Sequence, residues 1–355
     1  MAEFVRVQEA LLRRWVIDLL VTFGVPRDDA ALSADVLLYA DLHGIDSHGV
    51  AHLDWHPSYA PGLRKGVINP RPNLRTLSQT DTTALIDADR GMGTVVSVKA
   101  NRLALEKARQ RGCGFVAVTS SSHFGAAGYY VYEAARRGLI GFAFTNAGPL
   151  APPTFGAKRM LGTNPIAVGV PAGDEPPLIL DIATTTVAGG KLEIAMREGK
   201  PIPEGWAVDQ DGGPTVDAHI LGKGGMLTPL GSTPVLSSHK GYGLGVMVDV
   251  LCGVLTGIGY SSMLGRERGS ASAGHFFGAL RVDAFRPLGD FKAMVDQMAR
   301  DLHACPPLGE ERVLVPGDKE HAAFADRSVN GIPLHISVVE ALGKLGEEQG
   351  VGFPS

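Results

Sequence analysis

Four of the eleven histidines of this chain fall inside one short stretch, "DLHGIDSHGVAHLDWHP", from Asp41 to Pro57: His43, His48, His52 and His56. The last three are spaced i, i+4, i+8, which stacks them on one face if the segment is a regular helix. Three imidazoles on one face are a zinc ligand set, the basis for a metal-dependent hydrolase. A single imidazole, with an unperturbed pKa of about 6.5, moves a proton at neutral pH. The sequence weighs against the metal. Gly44 and Gly49 interrupt the helix, Pro57 ends it, and no HExxH-type motif fixes an acid. The expectation is no metal, with His43 and His56 as structural or surface side chains.

Elements that could position such a residue follow from periodicity. "VQEALLRRWVIDLLVTFG" and "PRDDAALSADVLLYADLHG" read as N-terminal helices, and "GLRKGVINPRPNLRTLSQ" as an extended connector. From about residue 81 the texture alternates. "TTALIDAD", "GFVAVTS", "LIGFAFTN", "NPIAVGVP" and "PLILDIATT" read as strands; "TVVSVKANRLALEKARQRG", "AAGYYVYEAARRG" and "VAGGKLEIAMREG" as helices. Residues 201–239 read as irregular loop. "GYGLGVMVDVLCGVLTG" reads as a buried helix, "GHFFGALRV" as a strand, and the remainder as helical. The expected organisation is a helical domain from both termini (1–78 plus 310–355) around a central α/β domain (79–309).

The totals exclude several classes. The chain has 355 residues, 45% apolar and 20% charged, with a net charge of -4. That is an ordinary globular composition with no general electrostatic reason to bind nucleic acid or an anionic membrane. The N-terminus has no signal-peptide pattern, and no apolar run reaches the ~18 residues of a membrane span. Cys113, Cys252 and Cys305 form no CxxC pair and read as buried free thiols in a reducing cytoplasm.

A dinucleotide fingerprint is absent. "GMGTVV" follows a strand and opens a helix, but Val96 stands where the third glycine belongs. An ordinary helix start is the expectation there. "TSSSHFGAAGYY" offers backbone N–H groups and the Ser120–Ser122 hydroxyls to a phosphate or an amide, or caps a helix. "GTNPIAVGVP" sets Thr163 and Asn164 before a strand, and "LDIATTT" ends one on Asp181, either a turn residue or a site carboxylate.

Taken together, "GIDSHGV", "SSHFGAAGYY", "LGTNPIAVGVP", "LDIATTTVAGGKLE", "PIPEGWAVD", "SHKGYGL" and "GHFFGAL" resemble, in order, the type-2 malate/L-lactate dehydrogenase family, over roughly residues 6–345. The resemblance implies a nicotinamide-dependent oxidoreductase, using NAD or NADP, with a non-Rossmann central mixed-sheet cofactor-binding domain and a helical layer formed by both termini. It also implies a homodimer acting on a small molecule, a 2-oxo/2-hydroxy acid or, as in some members, a cyclic imine, and the free thiols and missing signal-peptide pattern add the expectation of a cytoplasmic protein. By motif match His48 is the general acid/base and Asp181 its carboxylate partner, with Ser47 and His123 at the substrate and nicotinamide positions. The cofactor is placed along Ser122, His123, Gly125, Thr145, Asn146, Thr163, Asn164, Asp181, Ile182, Ala183, Thr184, His239, Lys240, Gly241, Pro316, Gly317, Asp318 and Lys319. His52 departs from the family, which commonly has arginine there to clamp a substrate carboxylate. Either His52 itself or another cation, such as Arg64, is expected to replace that clamp. A non-catalytic nucleotide-binding protein is disfavoured, since binding alone needs no proton relay.

Overall fold

The structure, a computed structural model, describes residues 4–264 and 272–354. The N-terminal part comprises β1 (Phe4–Val7), α1 (Glu9–Thr22), α2 (Arg27–Leu42) and the one-turn helices α3 (His52–Trp55) and α4 (Ala60–Arg64). Next come β2 (Arg75–Gln79), β3 (Thr83–Asp87), α5 (Gly93–Arg111), β4 (Cys113–Ser121), α6 (Gly128–Ala135), β5 (Leu139–Thr145), β6 (Ile166–Val170), β7 (Leu178–Ile182) and α7 (Gly189–Arg197). The short β8 (Ala207–Val208) and β9 (Met226–Leu227) precede α8 (His239–Asp249), β10 (Ala273–Arg281), α9 (Leu288–His303), α10 (Asp318–Asn330), β11 (Ile332–His335) and α11 (Ile336–Glu348).

Helix α1 buries Leu12, Trp15, Val16, Leu19 and Leu20, the i, i+3, i+4, i+7, i+8 stripe of an amphipathic helix. That stripe shares one apolar core with Ile332, Leu334, Leu342 and Leu345 from the other end of the chain. The ends are also stitched by backbone bonds, because β1 pairs antiparallel with β11. The periodicity missed both strands, each four residues long. It missed β2 as well: every residue of β2 is exposed, so no alternation marks it.

The central sheet has seven strands in the order β2-β3-β4-β10-β5-β6-β7. Only β3 and β4, joined through α5, run parallel; every other neighbouring pair is antiparallel. The fold is therefore α/β with a mixed sheet, without the parallel doubly wound sheet of a Rossmann domain. Gly93 explains the incomplete fingerprint. It abuts the chain after β4 so closely that a Cβ would lie 2.0 Å from the Ser122 carbonyl oxygen. Its N–H is given to Ser122 Oγ at 2.8 Å, so this turn holds protein rather than phosphate.

Beyond Asp249, helix α8 widens into a π-helical turn at Val250–Val254. Cys252 is buried as expected, but Cys113 is half-buried and Cys305 exposed; all three are free thiols. No helix among the described residues is long and apolar enough to cross a membrane.

Candidate active site

The histidine stretch is held by the helix before it. Asp41, buried at the end of α2, turns its side chain onto the following loop, where Oδ2 accepts the Val50 N–H at 2.9 Å. Gly49 passes against this carboxyl, and a Cβ there would sit 1.8 Å from Asp41 Oδ1. From α10, Arg327 donates to the Asp41 carbonyl oxygen at 2.6 Å and pairs with Asp46. The loop between is thereby fixed, with Ser47 and His48 at its tip. As the glycines imply, no long regular helix forms, and only His52–Trp55 is helical. The turns nevertheless converge the rings.

The rings of His48 and His52 lie 5.6 Å apart, and those of His52 and His56 stack at 4.9 Å. His123, arriving from the β4–α6 turn, joins them at 5.6 Å from His48, 5.2 Å from His52 and 4.5 Å from His56. Crowding and burial keep the group neutral. Desolvation, with Lys191 nearby, lowers His48 to about 4, and desolvation lowers His56 to about 4. His52 and His123 are held well below the ordinary value, first by burial and then by the other imidazoles. Hydrogen bonds set one tautomer. The Gly125 N–H can only donate, and it points at His123 Nδ1 at 3.3 Å, with the Tyr59 hydroxyl at 3.1 Å. The ring proton of His123 is therefore on Nε2. His48 Nδ1 is paired with Ser47 Oγ at 2.8 Å.

These four imidazoles and Ser47 line a cleft of about 410 Å³ together with Trp55, Ala147–Leu150, Thr163, Ala188–Gly190 and Glu193. This lies in the ~300–1,000 Å³ range of small-molecule sites. The far wall is the first turn of α7, and Gly190 packs on Ser47. Glu193, one turn on, has its Oε2 buried with no hydrogen-bond partner, and the nearest guanidinium, Arg197, is 4.0 Å away. Desolvation pushes its carboxyl up to about 7. Among the described residues no group of three His, Cys, Asp or Glu side chains could hold a metal ion.

Asp181 stands elsewhere. Its Oδ2 accepts the Gly128 N–H at 2.6 Å, and it faces a second cavity of about 210 Å³ with Tyr39, Gly128, Ile182, Pro316, Gly317, Lys319 and Glu320. Desolvation raises its carboxyl to about 6. The expected contact with His48 is not made; Ser47 holds that imidazole instead. Arg64 does not serve the cleft either, because it pairs with Glu348 at 2.6 Å on the surface.

Several motif residues are scaffold. Ser122 Oγ also donates to the Gly91 carbonyl oxygen. Gly125 packs on Val36. Thr145 Oγ1 pairs with His275 Nδ1 at 2.7 Å. The Asn146 amide donates to Asp249 Oδ1 at 3.1 Å, while its own Oδ1 accepts the Gly274 N–H. Asn164 Oδ1 accepts the Ala147 N–H at 3.0 Å, and its amide donates to the Gly245 carbonyl oxygen. These asparagines position the Ala147–Pro149 wall rather than line it. Thr184 Oγ1 donates to the Thr163 carbonyl oxygen. Ala183, His239, Lys240 and Gly241 line neither cavity, and Asp318 is taken up by His303 at 2.7 Å. His43 is structural: its Nδ1 bonds the Tyr39 carbonyl oxygen, and its ring stacks on Tyr39 and Phe324. Sequence reasoning missed His56, Trp55 and Glu193. His56 continues the histidine spacing and Trp55 precedes it, whereas Glu193 closes the "LDIATTTVAGGKLE" motif without standing out within it.

Comparison with known proteins agrees with this architecture. Residues 7–343 match the sequence pattern of the malate/L-lactate dehydrogenase family. A malate dehydrogenase of Pyrococcus horikoshii is 40% identical over 98% of this chain and 96% of its own. The solved structure of the malate dehydrogenase from that species superposes with a TM-score of 0.91 at 36% identity, covering 100% of this chain and 99% of the other. An L-sulfolactate dehydrogenase of Methanocaldococcus jannaschii is 35% identical over 96% of both chains. A Δ1-piperideine-2-carboxylate reductase from Pseudomonas syringae has a TM-score of 0.83 at 28% identity, covering 96% of this chain and 99% of the other. The mixed sheet, the helical layer and the imidazole-lined cleft thus belong to a member of the malate/L-lactate dehydrogenase family, an oxidoreductase enzyme.

Proposed function

We propose that the chain transfers a hydride between a nicotinamide cofactor and a small 2-oxo/2-hydroxy acid, with His48 exchanging the proton. The observation that carries this is the pair of stacked imidazoles, His48 and His123, in a cleft large enough for an acid beside a planar ring. In the oxidative direction His48 takes the hydroxyl proton as the C–H bond is broken; in reduction it returns that proton to the nascent alkoxide. Ser47 holds the ring through Nδ1, and His123 offers its Nε2–H to the same oxygen. A substrate carboxylate beside His48 raises its proton affinity from the low value of the free cleft toward the working range. When bound, the nicotinamide supplies the hydride acceptor or donor.

The second cavity fits the other end of such a cofactor. Asp181 and Glu320, with the Pro316–Gly317 peptide, suit ribose hydroxyls. Two carboxylates against Lys319 favour a free 2′-hydroxyl over a phosphate, and therefore NAD over NADP. Dimerisation through α8 and the turn after it is supported by exposed Leu244, Met247, Val254 and Leu255, a continuous apolar face; light scattering of Met247→Asp tests it.

The piperideine-carboxylate reductase likeness keeps one other reading open, reduction of a cyclic C=N bond. An absorbance screen at 340 nm with oxo acids and cyclic imines, against NADH and NADPH, separates the two. On the accepted substrate His48→Gln should lower kcat by about 10²–10⁴-fold with cofactor binding retained. A near wild-type kcat in His48→Gln, with His123→Gln inactive, would move the proton-transfer role to His123.

A further inference from the structure

One side chain of the N-terminal layer reaches the imidazole group from behind. Tyr59 is fully buried in a core it shares with Leu53, Leu63 and Ile68. Its backbone is fixed on both sides: the N–H donates to the His56 carbonyl oxygen at 3.1 Å, and the carbonyl oxygen accepts the Leu63 N–H at 2.9 Å. Its ring stands edge-on to His56 at 5.7 Å and to His123 at 5.9 Å, and its hydroxyl meets His123 Nδ1 at 3.1 Å. That nitrogen has a single lone pair, and the Gly125 N–H, which can only donate, already points at it. The Tyr59 hydroxyl is therefore the donor in this pair. Burial pushes the phenol above its ordinary range, so the proton stays on its oxygen. The backbone of His123 is held separately, because Ser58 Oγ accepts its N–H at 3.1 Å.

We propose that Tyr59 is a positioning residue that acts on the reaction through His123. With the backbone of His123 fixed, the ring is left one freedom, rotation about its Cβ–Cγ bond, and the torsion of an imidazole there is broad. A half-turn exchanges Nδ1 with Cδ2 and Nε2 with Cε1, which takes the Nε2–H away from the reacting oxygen. Gly125 opposes that rotation weakly, since it lies on the same turn as His123 and its bond is long, at 3.3 Å. Tyr59 opposes it from another layer of the protein, where the apolar core anchors its ring. Its O–H also polarises the imidazole, so that the Nε2–H becomes a stronger donor to a developing alkoxide. His123 thereby serves as a fixed neutral donor and leaves proton transfer to His48. This inference rests on the dehydrogenase reading above.

The test is Tyr59→Phe, which keeps the buried ring and removes one oxygen. Ile68→Val, in the same core but touching no imidazole, is the control for loosened packing. Ring-nitrogen NMR of protein carrying labelled histidine reads His123 without substrate, its signals assigned by their loss in His123→Gln. In the wild type and in Ile68→Val, Nδ1 should appear as a hydrogen-bonded lone-pair nitrogen and Nε2 as protonated. In Tyr59→Phe the Nδ1 signal should move toward that of a free lone pair or broaden by exchange. On the accepted substrate Tyr59→Phe should lower kcat by about tenfold, short of the 10²–10³-fold cost of losing such a donor outright. The KM for the nicotinamide cofactor should stay within about twofold, and Ile68→Val should keep kcat within about the same margin. Unmoved His123 signals in Tyr59→Phe overturn the inference. So does a wild-type kcat in that variant, or a loss of kcat in Ile68→Val as deep as its own. If no 2-oxo acid or cyclic imine drives oxidation of NADH or NADPH, the reading on which it rests fails and the inference with it, an outcome told apart because the wild type is then inactive too.

Discussion

Gly49→Ala is the sharpest probe of how the fold aims His48. The added methyl would lie 1.8 Å from Asp41 Oδ1 and 2.2 Å from its Cγ, so either the carboxyl or the loop must move. Movement breaks the Val50 N–H bond to Asp41, and leaving those buried groups unpaired costs about 1–3 kcal/mol. Forcing a methyl into a packed site adds about 1–3 kcal/mol. The sum, about 2–6 kcal/mol, is a large share of the ~5–15 kcal/mol that holds a typical protein together. The adjacent His48 is displaced with the loop, and a shift of about 1 Å in a reacting group costs on the order of 10²-fold in rate. Urea unfolding followed by circular dichroism, with kcat on the accepted substrate, measures both. The double variant Asp41→Ala/Gly49→Ala removes the opposing carboxyl and should be less destabilised than the sum of the single variants, by about 1 kcal/mol or more. Wild-type stability and kcat in Gly49→Ala, or strict additivity in the cycle, would refute the steric argument.

Three further outcomes are expected. Burial lifts the Asp41 carboxyl to about 8, so the folded chain keeps a proton that the unfolded chain releases near pH 4; stability must then fall as pH rises toward 8. Asp41→Asn should flatten that fall between about pH 7 and 8, above the range of the histidines and of Asp181 (urea midpoints against pH show it). Asp181→Asn should weaken cofactor binding, read as a rise in the KM for NADH, far more than it lowers kcat at saturation; a kcat loss as deep as that of His48→Gln would restore Asp181 as the partner of the imidazole. Overnight dialysis against EDTA should leave activity intact, whereas a loss reversed by stoichiometric zinc would return the histidine cluster to the metal reading.

The α/β character, most of the helices and the strands of the central sheet were legible in the chain because their apolar residues recur at 3.6 or 2 positions, as in α1 and β5. The family was legible because its motifs stand in order along the chain, and that order is what singled out His48 and, as a departure, His52 as candidates. The pairing of β1 with β11 was not legible, because it joins residues at opposite ends of the chain through backbone groups that carry no side-chain signature. Nor was the division of labour among the motif residues. Asn146 and Asn164 look like ligand contacts in sequence, yet their amides are spent on Asp249, Gly274, Ala147 and Gly245, partners the chain brings near only on folding. Asp181 ends an apolar strand as a site carboxylate would, but the order of the sheet delivers it to a different cavity from His48. Glu193 closes a quoted motif, but only the packing of the first turn of α7 against Ser47 brings it to the wall of the cleft. The sequence by itself determined the family, most of the elements and the candidate residues placed on them. Tertiary packing alone decided which of them share a cleft, because burial and charge at a site are set by neighbours that are distant along the chain.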